Sequence, residues 1–211
     1  MKPEALLEDG TVRPLPRSFY NQGTVTVARR LLGKHLVRLK GDVKLLGRIV
    51  EVEAYRGRDD PASHAYRGRT PRNKPMFGDP GHAYVYFTYG NHYCLNVTTQ
   101  KRGIAGAVLI RAIEPLSGLN LMKCFRPGVS ELHLTNGPGK LTRALAIDKS
   151  LNETDLTRTG HIFIGQSRKA PPVHIGRSAR IGITLGKERL WRFYIKGNRY
   201  VSRSTEPKDF K

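Results

Sequence analysis

The sequence predicts an α/β protein of the α+β type, with a single domain, a curved, mixed, mostly antiparallel sheet, peripheral helices and no helix-hairpin-helix. Three observations indicate this class. The chain has 211 residues, of which 38% are hydrophobic, and this is enough for one substantial core. Two pairs of strand-like stretches are joined by short turns, as in antiparallel hairpins. The turn Arg126–Val129 (RPGV) lacks the second glycine of a helix-hairpin-helix.

The composition of the chain predicts where its single domain begins and ends. Residues 1–17 carry three prolines and little periodicity, so we expect a loose N-terminal lead-in. Residues 18–205 form the predicted domain, and residues 206–211 form a C-terminal tail.

The first predicted elements are a short helix and a hairpin. Thr24 or Thr26 is a suitable N-cap for a helix that ends at Gly33. Strands at His35–Leu39 and Leu46–Tyr55, separated by a turn, then predict an antiparallel pair.

The second of these strands carries an unusual pattern of charge. Glu51, Glu53 and Tyr55 alternate with an aliphatic set, so the carboxylates and Tyr55 share one face. Two interpretations remain open from this segment alone: a half-solvated sheet face, or an active-site carboxylate held on a rigid strand. Between Arg56 and Lys74, six Lys or Arg stand against two Asp among Gly and Pro, which favours a loop that faces phosphate.

A second hairpin is predicted at Tyr84–Asn96. Two β-rich runs meet at Gly90 and Asn91, a dipeptide suited to a tight turn, and Tyr89 is placed at or beside the exposed tip. A buried strand follows at Val108–Ile113, and its single charge, Arg111, requires an acidic partner.

Later elements complete the predicted fold. We expect Ser117 to cap a helix over Leu119–Phe125, and a further helix to run from Asn136 through Ile147 with Lys140 in its first turn. The start of that further helix is a candidate phosphate site. Three more strands are predicted around His161–Ile164, Ala179–Ile183 and Arg192–Ile195.

The charge balance indicates the partner. Thirty-seven Lys and Arg against seventeen Asp and Glu give a net charge of +20, which favours a polyanion, most simply nucleic acid. RNA-binding proteins, DNA-binding enzymes and membrane-surface proteins are all basic, but no amphipathic Lys-rich helix favours a membrane. No signal peptide or apolar span is present in the sequence, so we expect an intracellular protein, with the nucleoid in a bacterium or nuclear in a eukaryote.

The sequence gives little support for a metal site or a nucleotide-binding P-loop. Cys94 and Cys124 are too far apart for a paired metal site, and we expect reduced thiols in a core. The His-x-Glu and Pro-Cys-x-x-Cys motifs of zinc deaminases are absent, and Gly137–Lys140 lacks the order of a P-loop. We therefore predict no metal and no cofactor.

The remaining parts suit an enzyme that removes a base from a duplex. Such an enzyme flips the base out, stacks it on aromatic side chains and fills the gap with a wedge. Hydrolysis passes through an oxocarbenium-like state, so one carboxylate can deprotonate the water and stabilise the developing charge. The competing class is a non-enzymatic nucleic-acid-binding protein, which needs the charge and the tyrosines but not Glu53.

Ordered sequence blocks carry a family resemblance. They are GRIVEVEAY at Gly47–Tyr55, His64, TPRN at Thr70–Asn73 with Met76 and Phe77, YVYFTYG at Tyr84–Gly90, Leu95 with Asn96, LIRAIEPL at Leu109–Leu116, GPGKL at Gly137–Leu141, and RFYIKG near the C-terminus. From about Phe19 to Ser202 the chain resembles the alkyladenine DNA glycosylases, also called 3-methyladenine or methylpurine DNA glycosylases, of the type that lacks a helix-hairpin-helix.

The resemblance implies a role for each matched residue. Glu53 corresponds to the general base and Arg111 to a residue that helps to hold the water. The base pocket is implied at Tyr55, His64, Tyr86 and Asn96, the intercalating wedge at Tyr89, and DNA contacts at Thr70, Arg72, Asn73, Met76 and Lys140. The implied partner is double-stranded DNA that contains damaged purines, and the implied state is a monomer. No lysine nucleophile is indicated, so a monofunctional glycosylase is expected.

Plainer interpretations of the same residues stand beside these roles. Tyr84, Tyr86 and Tyr93 also suit core packing, His64 also suits a solvated loop, and Glu51 is expected to face polar surroundings without a catalytic role. The chain departs from the family pattern at Asn91 and His92, where relatives often have bulkier residues, and in loop length between His64 and Thr70.

Overall fold

The fold is organised around one long strand, β3 (Val43–Tyr55). The computed structural model describes residues 12–88, 90–167 and 172–202. The other strands are β1 Val12–Pro14, β2 His35–Lys40, β4 Ala83–Thr88, β5 His92–Thr98, β6 Ala107–Ser117, β7 Ile162–Ser167, β8 Ile175–Ser178 and β9 Arg192–Ile195. The α-helices are α1 Arg17–Tyr20, α2 Thr24–Leu31, α3 Leu119–Phe125 and α4 Pro138–Ala144, and short 3-10 helices lie at Lys74–Phe77, Glu131–His133 and Lys149–Leu151.

The strands form a single sheet in the order β1-β7-β2-β3-β6-β5-β4, and β9 adds to β3 and carries β8. Every pairing among the described residues is antiparallel. β6 follows β3 over most of its length, whereas the opposite side of β3 pairs first with β2 and then, over Glu51–Glu53, with β9. The predicted fold class is confirmed, and the acidic part of β3 lies in the interior of the sheet.

The aliphatic face of β3 belongs to the main core. Val50, Val52 and Ala54 are fully buried in a cluster that also contains Val27 and Leu31 of α2. A bulge at Val50, between the pairs Ile49–Ile113 and Glu51–Ala112, breaks the regular pairing of β3 with β6. The predicted burial of the aliphatic set is confirmed, but the opposite face is not solvated, because Glu51 and Glu53 are also fully buried.

The N-terminal part of the chain departs from two predictions. Val12–Pro14 pair with β7 as β1, so the loose lead-in over residues 1–17 is wrong for these residues; three residues are too few to show a period. α2 has Gly23 at its N-cap, and no threonine caps it. The hydroxyl of Thr24 instead lies 2.9 Å from that of Thr99. The predicted tail at residues 206–211 lies outside the described residues.

Further corrections concern element ends. β6 continues through Pro115 to Ser117. Because β5 pairs with β6 only up to Leu109, Pro115 has a neighbouring strand on one side only, and its missing N–H interrupts no hydrogen bonds on the other side. Gly118 then precedes α3 with φ of 80°, so Ser117 is not its cap. α4 ends at Ala144 rather than Ile147.

Two other predictions are also wrong. Residues 179–183 follow β8 without forming a strand, because the amide of Ile181 bonds a side-chain carboxylate and not a neighbouring strand. Cys124 is exposed on α3, although Cys94 is buried as predicted. No helix among the described residues is long and apolar enough to cross a membrane.

Candidate active site

One face of the sheet forms the larger part of a pocket of about 200 Å³. Directly opposite residues on antiparallel strands project from the same face, and the register aligns Tyr84 with Asn96, Asn96 with Leu109, and Leu109 with Glu53. Alternate residues of four strands therefore line the pocket. We call them the sheet wall: Tyr55, Tyr84, Tyr86, Thr88, His92, Cys94, Asn96, Ala107, Leu109 and Arg111.

The rest of the pocket is formed mainly by irregular chain. We call this part the loop wall: Ala62, His64, Met76, Ile181, Gly182 and Ile183. Pro138, at the start of α4, completes the lining. A cavity of about 150 Å³ holds benzene, so this pocket has room on the order of one flat base. The four residues predicted for a base pocket, Tyr55, His64, Tyr86 and Asn96, are thus brought together, with Arg111 and Met76 beside them.

Glu53 is fully buried and is not itself a lining residue of the pocket, but it contacts lining residues of both walls. One oxygen accepts a hydrogen bond from the Tyr55 hydroxyl at 2.7 Å. The other accepts one from the Ile181 backbone N–H at 2.7 Å and lies 3.2 Å from Arg111 Nη1. A buried carboxylate must be hydrogen-bonded or paired, and Glu53 is both.

Glu51 belongs to an adjoining buried network, which shares Arg111 with Glu53. Its carboxylate accepts from Arg111 Nε at 2.9 Å, from Arg192 Nε at 2.7 Å, and from the N–H and hydroxyl of Ser202 at 2.6 and 2.7 Å. Burial alone lowers the pKa of Arg111, but the carboxylates of Glu53 and Glu51 outweigh burial and raise it. Arg111 therefore stays charged between the two carboxylates, and the predicted acidic partner of this arginine is confirmed.

An aromatic cluster occupies the side of the pocket next to β4. The rings of Tyr86 and His64 are 4.7 Å apart at 70°, those of Tyr84 and Tyr86 are 5.2 Å apart, and His64 Nδ1 lies 2.9 Å from the Tyr84 hydroxyl. His64 as a residue is exposed, but desolvation of its ring on the pocket side, and then the charge of Arg72, lowers its pKa and favours the neutral ring. Burial raises the pKa of Tyr84 to about 12 and raises that of Tyr86 further.

Tyr55 and Asn96 present polar groups beside these rings. Burial, and next the neighbouring Glu53, raises the pKa of Tyr55 well above its ordinary value, so its hydroxyl remains a donor. Asn96 is 3% exposed and donates from Nδ2 to the Tyr84 carbonyl at 2.9 Å, which fixes the amide in the pocket wall.

The predicted DNA-contacting residues divide into exposed and buried members. Thr70, Arg72 and Lys140 are exposed, and the Arg72 guanidinium stands 5.2 Å from the Tyr86 ring centroid. Asn73 is 1% exposed, and its amide donates to the carbonyls of His64 and Gly68 at 2.8 and 2.9 Å. Asn73 therefore holds the loop together, and Met76 lies in the pocket wall.

Two further predicted residues are the wedge Tyr89 and the DNA-contacting Lys140. Tyr89, the predicted wedge, lies outside the described residues. Lys140 Nζ lies 3.0 Å from Asn136 Oδ1 beside α4, which has only seven residues. Burial, and then the charge of Arg126, lowers the pKa of Lys140.

Several pocket residues were not assigned from the sequence. Ala107 and Leu109 alternate along β6 with Arg111, which the resemblance had assigned, so a signal for those two was present. Ile181 contributes its backbone N–H, which every residue type except proline has, so no sequence pattern identifies it. Within the described ranges, no three His, Cys, Asp or Glu side chains cluster as a metal site.

Comparison with known proteins identifies the family of this chain. The model of the methylpurine-DNA glycosylase (MPG) family matches residues 18–199. A protein of Carboxydothermus hydrogenoformans is 52% identical over 90% of this chain and 98% of its own length, and one of Methanoculleus marisnigri is 51% identical with the same coverages. One of Burkholderia cenocepacia is 46% identical over 92% of each chain. The name of each contains the words 3-methyladenine DNA glycosylase. The chain therefore belongs to the methylpurine-DNA glycosylase family and is a DNA glycosylase, an enzyme that hydrolyses the N-glycosidic bond.

Proposed function

We propose that this protein flips alkylated or deaminated purines, of the 3-methyladenine, hypoxanthine and ethenoadenine class, out of duplex DNA and hydrolyses their N-glycosidic bond, leaving an abasic site for base excision repair. The observation that carries the proposal is a buried carboxylate, Glu53, beside a base-sized pocket lined by aromatic rings. A net charge of +20 supports a polyanionic substrate.

The pocket chemistry suits a modified purine. Tyr55, His64 and Tyr86 offer aromatic surfaces for a flipped base, and alkylated purines that carry positive charge are attracted to electron-rich rings. Asn96 offers an amide to the edge of the base. In this proposal Tyr89, on the β4–β5 connection, fills the gap that the base leaves in the duplex.

The proposed reaction is a displacement by water. Water attacks the sugar C1′, Glu53 takes a proton from the water, and the purine leaves with the electron pair of the glycosidic bond. Arg111, 3.2 Å from Glu53, helps to hold that water, and the carboxylate also stabilises the oxocarbenium-like state. None of the described residues that line the pocket is a lysine, which supports a monofunctional mechanism without a Schiff base.

The proposed DNA interface surrounds the pocket mouth. Thr70 and Arg72 lie on the loop beside the aromatic cluster, Asn73 and Met76 support that loop, and Lys140 lies at the start of α4. We propose that the enzyme acts as a monomer on double-stranded DNA inside the cell, at the nucleoid in a bacterium or in the nucleus in a eukaryote.

The direct test uses duplexes with one defined lesion. The protein is incubated with DNA that contains hypoxanthine, 3-methyladenine or ethenoadenine, and abasic sites are then cleaved and the strands separated. We expect strand cleavage at the lesion position only, and none with an unmodified duplex. If no lesion in the set is released, the proposed substrate class is wrong.

A further inference from the structure

Two of the three segments of the loop wall, those at residues 62–64 and 181–183, are joined by a buried ion pair. Asp60 precedes Ala62 and His64, and Arg180 precedes Ile181, so each charged residue stands next to lining residues. The Arg180 Nη1 and Nη2 atoms lie 2.6 and 2.7 Å from the two Asp60 oxygens, and both side chains are 0% exposed. This is a two-point arginine–carboxylate contact, the geometry that fixes orientation as well as distance.

On one side, the pair shapes the loop that carries His64. The Asp60 carboxylate accepts hydrogen bonds from the backbone N–H of Arg56 at 3.0 Å and of Ala62 at 3.3 Å. The Asp60 carbonyl also accepts from the Ser63 N–H at 2.9 Å. The turn that leads into His64 is therefore built around this one carboxylate.

On the other side, the pair reaches Glu53 and Tyr55. Arg180 Nη1 donates to the Ala54 carbonyl at 2.9 Å, and the guanidinium lies 4.7 Å from the Tyr55 ring centroid. Arg180 does not line the pocket, so it supports that ring from behind. The next residue, Ile181, donates its N–H to Glu53 at 2.7 Å. Arg180 thus contacts the two residues that follow Glu53 in the sequence, and its own neighbour Ile181 bonds the Glu53 carboxylate.

The energetics argue against stability as the reason for this pair. Removing two charges from water costs about as much as their attraction returns, so a buried ion pair is a weak source of stability. Arg180 Nε also has no hydrogen-bond partner while it is buried, which adds a further cost. The Asp60–Arg180 pair is costly in free energy, yet its contacts are well defined. It is therefore better explained by the residues that it positions.

We propose that Arg180, held by Asp60, is a positioning residue that sets Glu53 and Tyr55 relative to the loop that carries His64. This inference rests on the proposed function. A displacement of about 1 Å at a reacting group costs on the order of 10²-fold in rate. Loss of the pair therefore slows base release without removing any group that touches the base or the water.

The test compares Arg180→Met, Asp60→Asn and the double variant in single-turnover release of hypoxanthine from duplex DNA. We expect each to be slower than wild type by about 10- to 100-fold. Affinity for duplex that contains a non-cleavable abasic analogue should stay close to wild type. The double variant leaves no unpaired buried charge, so it should be more stable than Arg180→Met and still slow.

A matched control is Arg17→Met, because Arg17 also pairs with a carboxylate, Asp155, at 2.7 Å, but away from the pocket. It should lose stability and keep the wild-type rate per folded molecule. The folded fraction is measured from Trp191, the single tryptophan, which lies 5.3 Å from the Arg180 guanidinium. Arg180→Lys, which keeps the charge but not the two-point contact, should fold and show a smaller loss of rate.

The outcomes separate the two proposals. If the double variant releases base at the wild-type rate, or if Arg17→Met is slowed as much as Arg180→Met, the positioning role is overturned and the proposed function stands. Parallel loss of rate and affinity also overturns it. If wild-type protein releases no base, both proposals fall.

Discussion

The sheet wall and the loop wall of the pocket are held in place by different forces. Residues of the sheet wall are fixed by strand register and alternation, so backbone hydrogen bonds between strands determine which side chains face the base. Residues of the loop wall are fixed by side chains, namely the buried Asp60–Arg180 pair and the amide of Asn73. The comparison indicates that strand pairing, together with the buried Glu51 network, positions the sheet wall, whereas a few buried polar side chains alone position the loop wall.

The largest expected effect concerns the network beneath the sheet wall. Glu51→Gln leaves Arg111 and Arg192 without a carboxylate that both contact, and breaking a buried ion pair costs about 3–5 kcal/mol. Thermal unfolding should show a large loss of stability. Glu114→Gln is the control, because the Arg48 and Glu114 side chains are 27% and 25% exposed, and the loss of an ion pair that water reaches costs about 1 kcal/mol or less. Equal losses of stability in the two variants would show that the buried Glu51 network contributes no more than the Glu114–Arg48 pair.

A smaller effect is expected from the loop wall. Asn73→Ala removes the amide that bonds the carbonyls of His64 and Gly68 and the N–H of Thr70, and buried groups left unpaired cost about 1–3 kcal/mol. Because His64 lines the pocket, base release should slow along with this loss of stability. Asn120→Ala, at an exposed position on α3, should change neither quantity. Wild-type release by Asn73→Ala would mean that the loop wall does not need this amide.

A pH experiment sharpens the same comparison. The pKa of His64 is lowered by burial, and then by Arg72, so the neutral ring stabilises the fold at pH above the ordinary histidine value of about 6.5. That stability is lost as the pH falls through the lowered pKa. Unfolding measured between pH 7 and 5 should therefore show a flatter response for His64→Gln than for wild type. Burial, and then Arg48 and Lys34, also lowers the pKa of His35, but this contribution is common to both proteins. Identical slopes would contradict a folded-state pKa of His64 that lies below its ordinary value.

The smallest effect is expected outside both walls. If Lys140 contacts a DNA phosphate, Lys140→Ala should weaken binding to all sequences alike and reduce the salt slope of log K by about 1. Fluorescence anisotropy over a range of salt measures this slope. Lys123→Ala, which removes a lysine that is ion-paired with Glu131, is the matched control. An unchanged slope for Lys140→Ala would remove this residue from the interface.

The same distinction explains how far the sequence predicts the site. Alternation along Glu51–Tyr55 and the turn at Gly90–Asn91 predict which strands meet and which side chains share a face, and β9 is predicted at its observed bounds. Resemblance to the family then selects Glu53 over Glu51. The buried state of both carboxylates could not be predicted, because it depends on β9 pairing beside β3 from about 140 residues later in the chain.

The conformation of the loop wall could not be predicted from the sequence, for a related physical reason. Residues 179–183 have strand-like composition, but their conformation is set by the Arg180 contact with Asp60 and the Ile181 amide bond to Glu53, which join positions more than a hundred residues apart. Local preference carries no information on such partners. The predicted role of Asn73 in DNA contact rested on its motif, whereas its burial shows that it supports the loop.

The central claim is that Glu53 activates the water that releases the base, and one measurement tests it most directly. Single-turnover release of hypoxanthine is compared for wild type, Glu53→Gln and the control Glu114→Gln, with binding to the lesion duplex measured in parallel. Removing a general base costs about 10²- to 10⁴-fold in rate, so Glu53→Gln should bind the lesion duplex and release almost no base, while Glu114→Gln behaves as wild type. Release by Glu53→Gln at the wild-type rate would contradict the claim.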